Sequence, residues 1–428
     1  MTDSQLLLLL VELTVLLLAA RIGGEVAVRL GIPMHVGELV AGIFLGPSLL
    51  GWLWPKAFSV LFSSAAPQRS LLDAFAWIGI IFLVLIGGLE TRLGILRRAR
   101  RAVIGGWLGG FCIPFAGGFL LGMLAPAPLA PASVARPVFA LFIATAMSIS
   151  AIPVIARILM DLDLMKTRLG MVIVSTAIAD DTIGWIVLAV AAGLVTGGVD
   201  AASVALTVAY TLGFVAFSFT IGKRLVRKAM AFSMTQLKTP HPEISMMLLL
   251  VFAFGATTQA IGVHLVLGAF VAAILIGRVR RIEPAVVAGV REVGMGFFVP
   301  IFFAYTGTKV DLTSLQGGAL TFTALAVLLA CVTKIVGGTL GARIGGLPRW
   351  EALAVGIGLN ARGAMELVIA AIGLSIGLLN EAAYATIVLI AVITTLMTSP
   401  LLKWCVFRAG PEAIGLSAPP PRHGEIVA

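Results

Sequence analysis

Runs of about twenty predominantly apolar residues follow one another along nearly the whole chain, and that length is what an α-helix needs to cross a bilayer. A window of that width places them near residues 5–20, 33–50, 72–90, 102–124, 137–159, 169–195, 203–221, 244–260, 263–277, 292–308, 316–342, 350–377 and 384–406, thirteen spans in all. In lipid each backbone N–H and C=O must find its partner within the segment, so the expected fold is an all-α polytopic membrane protein. Composition agrees: 60% of the 428 residues are apolar and 12% charged, against about 45–50% and about 25% in soluble domains. A soluble globular protein is excluded. The 48 glycines fit close helix packing in lipid. Cys112, Cys331 and Cys405 stand singly in apolar surroundings and support neither a disulfide framework nor a zinc cluster.

The amino-terminal segment carries an acid before its apolar run and no small-residue cleavage motif after it, so it reads as a retained first span. The longest connection, residues 222–243, has about 20 residues and leaves no room for a domain between spans. Residues 1–407 therefore read as one membrane domain. Residues 408–428, with the Ala-Pro-Pro-Pro-Arg run, read as a short disordered cytoplasmic tail, too short for a regulatory nucleotide-binding domain.

Lysine and arginine number 30 against 20 aspartates and glutamates, a net charge of +10. In a chain this apolar the excess marks membrane orientation and not a nucleic-acid partner. Odd-numbered connections and the tail hold 24 of the 30 basic residues, even-numbered connections hold 4, and Lys334 and Arg362 fall inside spans. Positive residues gather on the cytoplasmic side, which sets the amino terminus outside and the carboxyl terminus inside.

Thirteen spans permit two inverted six-span units joined by one linking span, so that span n matches span n+7. Span 5 holds Thr145, Ser148, Ser150 and Pro153, and span 12 holds Gly356, Gly358, Asn360, Arg362 and Gly363; both are interrupted near the middle. Crossed discontinuous helices in matching halves point to a midplane binding site.

Span 6 places Asp180 and Asp181 about halfway along an apolar helix. An ionised side chain at the bilayer centre costs roughly 2.5 to 3.5 kcal/mol on insertion scales, and intramembrane acids mark functional sites. Adjacent helical residues point about 100° apart, so one carboxylate can line a cavity while the other pairs with a neighbouring helix. Lys334, the only charge between Asp311 and Arg343, is the natural partner. Its alternative is to snorkel to an interface. Arg362 and Glu366 are four apart on one helix face and read as an ion pair bracing the broken helix. Glu12 and Glu38 lie within spans 1 and 2, with packing roles favoured, and His264 reads as a surface residue at a connection. The run Gly105 to Gly110 lacks the lysine and strand of a phosphate loop and reads as packing glycines.

Seven segments taken in order resemble the monovalent cation:proton antiporter superfamily, in the branch of bacterial sodium/proton antiporters, Kef-type systems and plant cation/proton exchangers. They are residues 32–47 with Pro33, Gly37, Glu38 and Pro47; 82–90; 145–158; Asp180-Asp181; 302–307; 333–338 around Lys334; and 360–367 with Asn360, Arg362 and Glu366. The resemblance implies a homodimer in a bacterial inner membrane. It also implies a mobile core of spans 4–6 and 11–13, about 102–195 and 316–406, moving against a scaffold of the remaining spans. On it, Asp181 is the principal cation and proton ligand, and Asp180 the first carboxylate of the electrogenic members, paired with Lys334. Asn360, Arg362 and Glu366 support the crossing.

The chemistry is consistent with that. Desolvation penalises an unpaired carboxylate, so one buried acid can hold either a proton or a small hard cation. Thr145, Ser148 and Ser150 would add neutral oxygens. The expected activity is exchange of a monovalent cation, sodium favoured over potassium, for protons, with no cofactor and no enzymatic step. An intramembrane aspartyl protease is excluded, because its two acids must face each other from different helices. The alternative is a sodium-coupled organic-solute carrier, which also uses crossed broken helices.

Overall fold

The computed structural model describes residues 3–62, 66–90, 100–162, 164–165, 167–197, 201–279 and 282–410, and among these all regular structure is helical. The first part of the chain forms α1 (Asp3–Arg29), α2 (Met34–Leu45), the short α3 (Pro55–Leu61), α4 (Ala66–Glu90) and α5 (Arg100–Met123). The middle follows with α6 (Arg136–Ser148), α7 (Ile152–Asp161), α8 (Arg168–Gly197), α9 (Ala201–Phe217), α10 (Lys223–Thr235), α11 (Pro242–Ala260) and α12 (Leu265–Gly277). The last part holds α13 (Pro284–Val293), α14 (Val299–Thr308), α15 (Gly318–Ile344), α16 (Arg349–Leu359), α17 (Ala364–Ser375) and α18 (Glu381–Ala409). Ten described helical segments are long and apolar enough to cross a membrane, and Arg136–Ser148, Leu265–Gly277 and Met365–Ser375 are shorter apolar helices beside them. The tail expected to be disordered lies, from residue 411 onward, outside the described residues.

The helices pack in two neighbourhoods. In one, α1 lies against α2 and α14, and α4 against α12 and α14; in the other, α5 lies along α15 and against α6 and α8, while α16 and α18 close on α15. Close approach in the second depends on glycine. Gly105 and Gly109 on α5 face Gly337 and Gly341 on α15, and a Cβ at any of the four would fall on the opposing backbone carbonyl. Four-residue spacing puts each pair on one helix face, the small-residue seam by which helices approach in lipid. The glycines of α5 are packing glycines.

The connection at 222–243 is helical over much of its length. A π-helical turn at Ser218–Gly222 carries α9 directly into α10. Val226, Met230 and Ser233 recur at helical spacing and are buried, while the cations between them face outward. That apolar stripe holds the segment to the protein as a helix.

Candidate functional site

Two helical segments stop in mid-course. After Ser148 the backbone turns extended, with Ile149 at φ −76°, ψ 150° and Ala151 at φ −92°, ψ 102°, and α7 restarts with a proline in its first turn. After Leu359 the chain passes through Asn360 to Gly363, whose φ of 155° and ψ of −112° suit glycine, and α17 begins. The two breaks touch each other. The Ala151 amide donates to the Ala361 carbonyl at 3.0 Å, and the Ser150 hydroxyl lies 2.8 Å from the Leu359 carbonyl.

A helix that ends inside a protein exposes its last carbonyls, the negative end of its dipole. At the end of α6 two cations meet them. Arg362 donates through Nη1 to the Ala146 carbonyl at 2.8 Å and through Nη2 to that of Met147, while Lys334 Nζ donates to the Ser148 carbonyl. The opposite charge sits at the start of α17, where Glu366 Oε2 accepts from the Gly363 amide at 2.8 Å. Thr395 donates its hydroxyl to the Arg362 carbonyl. Arg362 and Glu366 are therefore each spent on backbone and not on an ion pair with one another, the correction to the reading from their spacing. The i, i+4 rule sees only the helix surface; it does not see the orphan carbonyls and amides that a break presents nearby.

Lys334 Nζ also lies 2.6 Å from Asp180 Oδ2, with both side chains fully buried. Ser150 Oγ lies 2.7 Å from the same oxygen. The hydroxyl has one proton and two acceptors, Asp180 and the Leu359 carbonyl, so it serves one of them at a time. The other oxygen of Asp180, Oδ1, is buried with no hydrogen-bond partner. Thr145 and Ser148 direct their hydroxyls back to the carbonyls of Leu141 and Ala144, 2.7 Å in each case. Asn360 is fully buried at the end of α16. Asp180, Lys334, Thr145, Ser148, Ser150, Asn360, Arg362 and Glu366 thus come together at one crossing. Asp181 is the next residue of α8, and its side chain lies outside the described residues.

Outside the crossing, Glu12 accepts a hydrogen bond from Gln68 between α1 and α4, and Glu38 is buried on α2 beside Gly24. His264 is partly buried at the start of α12, where Nδ1 caps the helix by accepting from the Val266 amide at 3.4 Å. Two features carried no signal in the sequence. His35 of α2 brings Nε2 to 2.7 Å from where a Cβ on Gly363 would stand, so a helix of the first neighbourhood abuts the break in α16–α17. At one end of α14, Asp73 Oδ1 accepts from Lys309 Nζ at 2.7 Å and from the Tyr305 hydroxyl at 3.0 Å. Neither Asp73 nor Lys309 stands out in the sequence, because each lies at the end of an apolar run.

The comparisons with known proteins show the family and the fold. The family model described as "Sodium/hydrogen exchanger, transmembrane" matches residues 13–407. The chain is 29% identical to the Na(+)/H(+)-K(+) antiporter GerN of Bacillus cereus, covering 95% of this chain and 98% of that one. It is 31% identical to cation/H(+) antiporter 17 of Arabidopsis thaliana over 95% of this chain, but spans only 49% of that plant relative's length. A structure of the sodium proton antiporter MjNhaP1 from Methanocaldococcus jannaschii shares the fold, with a TM-score of 0.61 at 16% identity over 96% of this chain and 99% of that one. With the family's match running through both broken helices and the buried pair between them, the chain belongs to the transmembrane sodium/hydrogen exchanger family.

Proposed function

We propose that the chain is a secondary active antiporter exchanging a monovalent cation, sodium in preference to potassium, for protons by alternating access. The observation that carries this reading is the fully buried Asp180–Lys334 pair at the contact of two broken helices, with a carboxylate oxygen left over and neutral oxygens of Ser150 and the freed carbonyls beside it. A small cation binding at the adjacent Asp181 competes with a proton for one charge, and competition at one site is sufficient for exchange. The dense packing of the crossing, where Thr145, Ser148, Ser150 and Asn360 are fully buried, favours a bare ion over an organic solute.

In this reading the chain has thirteen spans as two inverted six-span repeats, its amino terminus outside. The glycine-sealed neighbourhood of α5–α8 and α15–α18, about 102–195 and 316–406, is the moving core, and the remainder forms the scaffold of a homodimer. Release of Lys334 from Asp180 on cation binding frees the lysine to lose its proton, so two protons exchange for each cation and one net charge moves per cycle. The test is cation-driven proton movement in proteoliposomes, with sodium, potassium and lithium, at zero and at imposed membrane potential. Sodium-driven exchange that responds to the potential is expected. Asp181→Asn, an isosteric neutral change, should abolish exchange and leave the protein folded. Retained exchange in that variant would sink the assignment of Asp181, and indifference of the wild type to potential would sink the charge count.

A further inference from the structure

We infer that the protein carries a binding site for the phosphate headgroup of an anionic phospholipid between α10 and the end of α12, remote from the crossing. A cavity of about 690 Å³ opens there, lined by Lys223, Arg227, Lys228 and Arg278 together with the apolar Met234 and Leu275. Residues 223, 227 and 231 recur every four positions, so one stripe of α10 faces the cavity while Val226 and Met230 turn inward and anchor the helix.

The chemistry of the lining selects the ligand. Four cations and no acid line the cavity, and none of the four has an ion-pair partner among the described residues. Arg278, the C-cap of α12, is held with its guanidinium 5.2 Å from the centre of the Phe219 ring, leaving its fork of donors free to take an anion. Guanidinium forks take phosphate oxygens in pairs and lysines add point charge. The cations begin two residues after the apolar run 203–221, at the depth expected of a bilayer headgroup, and the apolar wall of Met234 and Leu275 suits the first carbons of an acyl chain. A free inorganic phosphate would use the cations and leave that wall unused. None of the lining residues belongs to the broken helices, so the inference stands or falls apart from the antiport reading.

The experiment uses the purified full chain in neutral detergent, titrated with dioctanoyl phosphatidylglycerol, dioctanoyl phosphatidylcholine or inorganic phosphate. Thermal melting and native mass spectrometry are the readouts. Phosphatidylglycerol should raise the melting temperature and remain bound. The Arg227→Gln/Arg278→Gln variant should bind it more weakly by on the order of 25-fold, about fivefold for each cation removed. Arg100→Gln, which removes an exposed cation elsewhere, should bind as the wild type does. An equal effect of phosphatidylcholine would mean a non-specific apolar site, an equal effect of phosphate alone would mean a free-anion site, and unchanged binding in the double variant would place any lipid elsewhere. Each of these results overturns the inference. If the double variant melts abnormally without lipid, Lys223→Gln at the exposed mouth gives the same comparison, with about fivefold weakening expected.

Discussion

At the scale of single residues, the Asp180–Lys334 pair is a case where cost argues for purpose. Two charges taken fully out of water are stable only when geometry and hydrogen bonds repay their desolvation, and removing one partner leaves an uncompensated charge costing about 3–5 kcal/mol. Asp180→Asn should therefore destabilise the protein by that order, because Lys334 loses the negative charge in contact with it and keeps only neutral oxygens. Lys334→Gln in the same chain should recover a large part of the loss, and thermal melts of the two single variants and the double form the cycle that measures it. Simple additivity would show that the 2.6 Å contact carries no coupling. The pair was legible in the sequence because Lys334 is a lone charge, and Asp180 with Asp181 a lone acidic pair, in otherwise apolar runs. Arg362 and Glu366 were legible as support and misread as to partner. The sequence marks an interruption near residue 148, but not that the carbonyls freed there will be met by a guanidinium from another span.

At the scale of the element, the breaks in α6–α7 and α16–α17 were legible because proline, glycine and clustered polar residues interrupt otherwise continuous apolar runs. The α10 helix was not, since its cations outweigh the apolar stripe when residues are read in order and not around a helix. Glycine seams fall between these cases. The run in α5 is evident, yet its partner at Gly337 and Gly341 on α15 emerges only from packing. That seam makes a sharp contrast available. Gly341→Ala puts a methyl onto the facing Gly105 carbonyl and must push α5 and α15 apart, whereas a methyl on Gly213 of α9 meets nothing within 4 Å. Overpacking costs typically about 1–3 kcal/mol, while glycine to alanine in an open helical position gains up to about 1 kcal/mol. In thermal melts, Gly341→Ala should fall clearly below the wild type and Gly213→Ala should match or exceed it. If the two substitutions melt alike, the helix contact is looser than the structure has it.

At the scale of the whole molecule, charge along the chain and packing across it are independent records of one architecture. The division of basic residues, 24 to 4 between alternate connections, depends on every span being assigned, since one missing span in the middle would exchange the two sets from there on. What remained hidden was depth. Ten described helical segments meet a simple length criterion, and the short helices on either side of each break, α6, α7, α16 and α17, do not, so the proposed thirteen spans count each broken pair as one. The topology is tested by labelling. Cys112 is exposed and is first replaced by alanine, while Cys331 and Cys405 are buried. A cysteine at Lys238, exposed between α10 and α11, should then react with a membrane-impermeant maleimide only from the cytoplasmic side. One at Ala202, exposed at the start of α9, should react only from outside. The two positions are separated by α9 and α10, a single crossing, so opposite sidedness is the required result. Labelling of both from one face would remove a span between them, undo the pairing of span n with span n+7, and with it the argument that the two broken helices are equivalent halves of one site.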